Sequence, residues 1–305
     1  MNARVTPSAA RAATGSQHIE WLGIHFAVPG DWQIIRHALQ PKAGRLVVVD
    51  RRRERCSLIW TDCPERPDLD RLVDDARARA SGERAAHCEH FGGEHGWRGF
   101  VETSASSREV RTNVVRWDSV GKRLIELVAT SLVDDAREDV QTEDLIGSVR
   151  FVAPPGRVRR WRAFDVDVTV PAGFRLVRLE ARPADATFTF RESGDGKRFG
   201  SQEVVVRRMG MAEAWHDGDL ERLARLLEPE ARIASVEELE AGRLLATGVE
   251  AGRRYRQLVG LLRTQRTLLW RSSDEDAIYA VTTRGKRSDP LRPADVHLGH
   301  PEETK

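Results

Sequence analysis

The sequence predicts an α+β fold in tandem, with two antiparallel sheets each flanked by helices. Three observations point there. Runs of alternating polarity, bounded by turn residues, recur through both halves of the 305-residue chain. One amphipathic helical stripe interrupts them in each half. The order of these features over residues 18–153 is met again from residue 161 onward, as a tandem duplication would leave it.

Each half opens with a strand of alternating polarity, a proline-led turn, an aromatic and a second strand. In the first half these are Ile19 to Val28, Pro29-Gly30-Asp31, Trp32 and Gln33 to Ile35. In the second they are Trp161 to Val170, Pro171-Ala172-Gly173, Phe174 and Arg175 to Val177. Proline presets the turn dihedral and glycine tolerates positive φ. The aromatic that follows is placed to fold over the core end of the hairpin.

Two β-rich runs come next, Arg45 to Asp50 and Arg55 to Thr61, joined by a charged turn; Ala186 to Arg191 and Ser201 to Arg208 match them. A helix follows in each half. Leu69, Leu72, Val73 and Ala76 stand at i, i+3, i+4 and i+7, as do Leu220, Leu223, Ala224 and Leu227. Asp68 and Asp219 immediately precede these stripes as caps. Three more strands are expected after each helix: Trp97 to Thr103, Glu109 to Trp117 and Arg123 to Thr130, then Arg243 to Thr247, Arg253 to Leu262 with Thr267 to Arg271, and Ala277 to Thr282. The first half closes with a polar helix around Asp135 to Ser148 and a short strand, Val149 to Val152. The second has only a proline- and charge-rich stretch there, so its closing helix is expected to be lacking or degenerate. The domain reading is a flexible arm over 1–17, a first domain over 18–153, a stiff linker over 154–160, a second domain over 161–284 and a flexible tail over 285–305.

This order resembles the PsbP-like fold, carried here by Phe26-Ala27-Val28-Pro29-Gly30-Asp31-Trp32 and by Asp144-Leu145-Ile146-Gly147-Ser148-Val149-Arg150-Phe151. The second half keeps Val168-Thr169-Val170-Pro171-Ala172-Gly173-Phe174 and lacks a counterpart of the second motif. The group includes the photosystem II extrinsic protein PsbP, the Mog-type Ran-binding factor, the DcrB lipoproteins and the Eag-type effector chaperones. The resemblance implies a non-catalytic role, docking onto another protein through the sheet or its rim.

Composition narrows the function classes. Forty-nine basic residues nearly cancel 47 acidic ones, for a net charge of +2, so no general pull toward nucleic acid or lipid is encoded. Cys56, Cys63 and Cys88 are too few and unsuitably spaced for a disulfide framework. Neither a signal-like apolar run nor a stretch approaching the ~18 apolar residues of a membrane span occurs; the expectation is a cytoplasmic protein without membrane insertion. Gly-x-Ser-x-Gly, Ser-x-x-Lys, dinucleotide-binding and phosphate-loop motifs are absent, and no cofactor is expected. The basic clusters, Arg51-Arg52-Arg53 with Arg55 and Arg157 to Arg162, read as a hairpin tip and a linker.

One chemical constellation competes. His87, Cys88 and His90, with His95 close behind, bring imidazole and thiolate donors into a glycine-flanked loop, the donor set zinc prefers. A metal-binding module or metal-dependent enzyme is therefore the alternative. The leading expectation is a non-enzymatic adaptor or chaperone-like protein that binds another protein through exposed sheet faces. Trp60, Trp117 and Trp270, all in strand runs, are its candidate anchors.

Overall fold

The computed structural model describes residues 15–83, 85–91, 96–104, 108–133, 135–152, 158–193, 202–215, 219–227, 231–239, 242–250, 263–272, 276–286 and 297–298. The chain divides into two compact units, Met1–Ala153 and Pro154–Lys305.

In the first unit, β1 (Ser16–Trp21) and β2 (Ile24–Pro29) pair across Leu22 and Gly23, whose φ angles are 51° and 77°. Two successive positive φ values are what a two-residue type I′ hairpin turn requires. Then follow β3 (Gln33–Arg36), β4 (Ala43–Val49), β5 (Glu54–Asp62), α1 (Leu69–Glu83), β6 (Ala85–Phe91), β7 (Arg98–Ser104), β8 (Glu109–Asp118), β9 (Arg123–Leu132), α2 (Ala136–Ser148) and β10 (Arg150–Phe151). Seven of these strands form an antiparallel sheet in the order β3-β4-β5-β9-β8-β7-β6, and β10 pairs with β2. Leu46, Leu58, Trp60, Ile125 and Leu127, all fully buried, share the sheet face turned toward the β1–β2 hairpin. Arg123, on that same face, donates to the Leu22 carbonyl in the hairpin turn at 3.0 Å. Helix α1 packs on β6, β7 and β8, and its side chain Asp70 reaches Arg98 at 3.2 Å; α2 packs on β2 and β9. Asp68 Oδ1 accepts from the Arg71 amide at 3.1 Å, so the expected cap forms.

The second unit repeats this connectivity. Its elements are β11 (Val158–Ala163), β12 (Val166–Pro171), β13 (Phe174–Arg182), β14 (Asp185–Glu192), β15 (Glu203–Gly210), α3 (Ala212–Trp215), α4 (Leu220–Leu227), β16 (Ala231–Leu239), β17 (Arg243–Glu250), β18 (Arg263–Arg271), β19 (Ala277–Lys286) and β20 (His297–Leu298). The sheet order β13-β14-β15-β19-β18-β17-β16 reproduces that of the first unit strand for strand, and β20 pairs with β12 as β10 does with β2. The β11–β12 turn again has two positive φ values, 55° at Phe164 and 56° at Asp165. Trp161 meets Phe190 at 6.1 Å and Phe164 meets Phe188 at 6.3 Å, which seats the hairpin on one face of the long sheet. Helix α4 packs on β16, β17 and β18. Its Leu223 and Ala224 join Leu244, Ala246, Leu269 and Ala280 in a core on the opposite face. Asp219 caps α4 through the Arg222 amide at 2.9 Å.

The expected α+β class is overturned: strand accounts for 63% and helix for 17% of the described residues, so the fold is nearly all β. Three local causes account for the excess strand. Each opening segment that reads as one strand is two, because a two-residue I′ turn leaves the alternation of polarity almost undisturbed. The stretch after each long helix, 85–91 and 231–239, is an edge strand rather than a connection. Strand also reaches into the expected linker, where Val158 pairs with Pro171, and into the expected tail, where His297 pairs with Thr169. Of the stretch where a second closing helix would stand, Arg284 to Lys305, residues 287–296 and 299–305 lie outside the described residues.

Cys56 is fully buried on the hairpin side of β5, and loss of hydration pushes its thiol up to about 12, with Glu54 adding to the shift. The unfolded thiol titrates near 8.5. The folded state therefore holds the proton more tightly, and stability falls as pH rises from ~9 toward 12. Cys56→Ala is expected to flatten this alkaline loss, read as the pH dependence of the urea midpoint; an unchanged alkaline limb would assign the loss to other groups.

Candidate functional site: a polar cleft on the second sheet

Alternation on β14 sends Phe188 and Phe190 to the hairpin side and Thr187, Thr189 and Arg191 to the other. Register carries that second face across the sheet. Arg191, Glu203 and Arg284 form one row; Thr189, Val205 and Thr282 the next; Thr187, Arg207 and Ala280 the third. From β13, Arg178, Glu180 and Arg182 stand opposite Thr189, Thr187 and Asp185. Helix α4 covers the far end of this face, over β16 to β18, and leaves the β13–β14–β15–β19 part as a cleft of about 510 Å³, with Leu227 at its rim.

Every carboxylate lining the cleft is held by an arginine. Glu203, with 11% of its side chain exposed, receives Arg284 at 2.8 Å and Arg191 at 3.2 Å. Asp185 accepts two bonds from Arg207, at 2.8 and 2.7 Å. Glu180 pairs with Arg178. From the lining toward β18, the Thr282 and Thr267 hydroxyls share a hydrogen bond of 3.1 Å, and Arg284 also donates to Gln265 at 3.4 Å. Five arginines face three carboxylates, so the lining carries two net positive charges. The bidentate Arg207–Asp185 pair and the shielded pairs on Glu203 fix side-chain direction and present remaining guanidinium donors to a ligand. The arrangement suits recognition of polar and anionic groups.

The tryptophans expected to anchor a partner lie elsewhere. Trp60 is completely buried and donates Nε1 to the Gln40 carbonyl at 2.9 Å, which takes it out of any surface. Trp117 is half-buried, donates to the Cys63 carbonyl at 3.0 Å and carries Lys122 over its ring at 4.9 Å. Trp270 is half-buried, stacked on Tyr279 with ring centroids 5.5 Å apart and with the Arg243 guanidinium 5.6 Å from its ring. Its position in the register puts it on the hairpin side, away from the cleft.

The histidine-cysteine segment is an edge strand, not a loop: His87, Cys88 and His90 pair with Thr103, Glu102 and Phe100. His90 is exposed, the side chains of His87 and Cys88 and the whole of His95 lie outside the described residues, and no group of three or more metal-ligating side chains comes together among the described residues. Of the first basic cluster, Arg53 and Arg55 are drawn inward while Arg51 and Arg52 stay exposed. Arg55, 2% exposed, pairs with Asp50 at 3.2 Å and with Glu138, and lies 4.9 Å over the Trp32 ring; Arg53 also reaches Glu138. In the second cluster Asp167 holds Arg160 and, at 3.6 Å, Arg162. No described helix is long and apolar enough to cross a membrane.

Sequence reasoning passed over the cleft residues because a polar strand face is the ordinary signature of a solvated sheet. The one available signal was the strict Thr-Phe-Thr-Phe-Arg alternation of residues 187–191, ending on a charge that reappears on β15 and β19.

No family model and no curated protein matches the chain. A solved structure described as MucB in complex with MucA(peri) is similar over 93% of this chain and 92% of that chain, at 13% identity and a TM-score of 0.17, a likeness too slight to carry an argument.

Proposed function

We propose that this chain is a non-catalytic binding protein whose second unit receives an extended segment of a partner protein in the cleft. The observation that carries the reading is the shape and chemistry of the cleft floor. Six residue steps on β14, from Asp185 to Arg191, span about 20 Å of regular strand. Over that length the floor offers threonine hydroxyls, short apolar side chains and arginines already oriented by carboxylates. A run of alternating donors matches the period of an extended peptide better than it matches a compact metabolite. An adaptor or holder of a client segment is the form this role takes here.

The test is photo-crosslinking in the native cell. A benzophenone side chain at Thr187, on the cleft floor, is expected to capture one polypeptide that the same group at the exposed Asp144 on α2 does not. Equal, diffuse labelling from both positions would remove the cleft as a protein-binding site.

A further inference from the structure

We propose that the cleft selects an acidic segment, an extended peptide carrying two carboxylates about six residues apart; this rests on the binding role just proposed and specifies its partner's chemistry. The two surplus positive charges are not spread evenly. One sits where Arg191 and Arg284 share the single carboxylate of Glu203. The other is Arg182, exposed on β13, with no carboxylate in ion-pair range among the described residues. Arg182 stands opposite Asp185 and Arg191 lies six residues further along the same strand, about 20 Å away at the rise of a β-strand. Beside and between the poles the charges cancel locally: Asp185, level with Arg182, takes Arg207, and Glu180 takes Arg178. An extended ligand advances by the same rise per residue, so carboxylates six residues apart reach both poles while uncharged residues cross the threonine rows.

The pattern also decides against a nucleic-acid strand. A phosphodiester backbone places a negative charge on every residue and needs a continuous basic track. Here it would meet Asp185 beside the Arg182 pole and Glu180 between the two poles. Nor does the fold itself demand arginines on this face. With Ser57 set level with Val205 and Val128 with Thr282, the first unit carries Ile59 and Thr130 where the second carries Arg207 and Arg284.

The experiment selects a phage-displayed library of random dodecapeptides on the immobilised full-length chain at low salt. The expected winners carry two Asp or Glu residues about six apart, bind as synthetic peptides, and compete with crosslinking from Thr187. The Arg182→Gln, Arg191→Gln double variant is expected to weaken them about tenfold, as loss of two charge-assisted contacts should. Both side chains are exposed, and Arg284 stays on Glu203, so the fold is retained. Winners that compete at Thr187 without acidic bias would overturn the acidic selectivity and leave the binding role standing. Acidic winners held equally well by the double variant would place the selectivity outside the two poles and overturn it. Failure to enrich any competing peptide would overturn both.

Discussion

Asp118→Ala is expected to destabilise the first unit by about 3–5 kcal/mol, the usual cost of leaving one member of a buried ion pair without the other. Asp118 is fully buried at the end of β8, and each of its oxygens has a distinct task. Oδ1 accepts the amides of Val120 and Gly121 at 2.9 and 3.0 Å and so shapes the turn into β9. Oδ2 accepts Arg123 Nε and Nη2 at 3.3 and 2.9 Å. Arg123, itself 6% exposed, passes the connection to the Leu22 carbonyl. Alanine would leave a desolvated guanidinium facing two unpaired amides. Asp118→Asn keeps an oxygen for the turn but turns an amide NH2, a donor, toward Arg123, so it spares only the turn's share of the cost and should cost somewhat less. Replacing both partners, Asp118→Leu with Arg123→Met, should recover much of the loss, because the cost lies in the orphaned cation more than in the missing attraction. Urea unfolding of the full chain, with hydrogen exchange of the β8 and β9 amides assigning the transition, checks all three. A single-variant cost below about 1 kcal/mol, or a double variant no better than the single, would show that the pair is hydrated in solution. Gly121 belongs to the same device, since a Cβ there would lie 2.4 Å from Asp118 Oδ2.

Much of the architecture could be read before any coordinates because it is written in period and punctuation. The stripes beginning at Leu69 and Leu220 are helices, each capped by the aspartate before it, since a helix must bury one face and satisfy its first amides. The proline-led turns and the aromatics after them hold, with Trp32 and Phe174 at 4% and 5% exposure, because an aromatic beside a turn closes the end of a sheet. What escaped was strand without a strand's usual signature. Residues 85–91 and 231–239 are edge strands, and an edge need not alternate cleanly when one flank lacks a pairing partner. The cleft was illegible for a different reason. Its members are scattered over β13, β14, β15 and β19, and only the pairing register brings Arg191, Glu203 and Arg284 into one row. Trp60 is covered although it sits in a strand run, because strand residence says nothing about which face is covered.

Trp60→Ala is the second large effect expected, about 3–5 kcal/mol for truncating a fully buried indole. The site is built around that ring. Gly44 lies directly across the β4–β5 ladder, and a Cβ there would come within 2.5 Å of Trp60 Cζ2 and of Ala38 Cβ. The indole also donates to the carbonyl of the exposed Gln40, so alanine removes packing and a hydrogen bond together. Trp60→Phe retains most of the ring contact and should cost about 1–2 kcal/mol, mostly for the hydrogen bond. Gly44→Ala should destabilise by pressing on the indole, and by less in the Trp60→Phe background, a coupling that a double-mutant cycle measures directly. The same variants separate a packing role from a docking one. If Trp60 served as an anchor, Trp60→Ala would leave unfolding unchanged and abolish crosslinking from the cleft. Burial on the hairpin face of the first unit predicts the reverse: early unfolding of β4, β5 and β9, with the cleft of the second unit still capturing its segment wherever the chain remains folded.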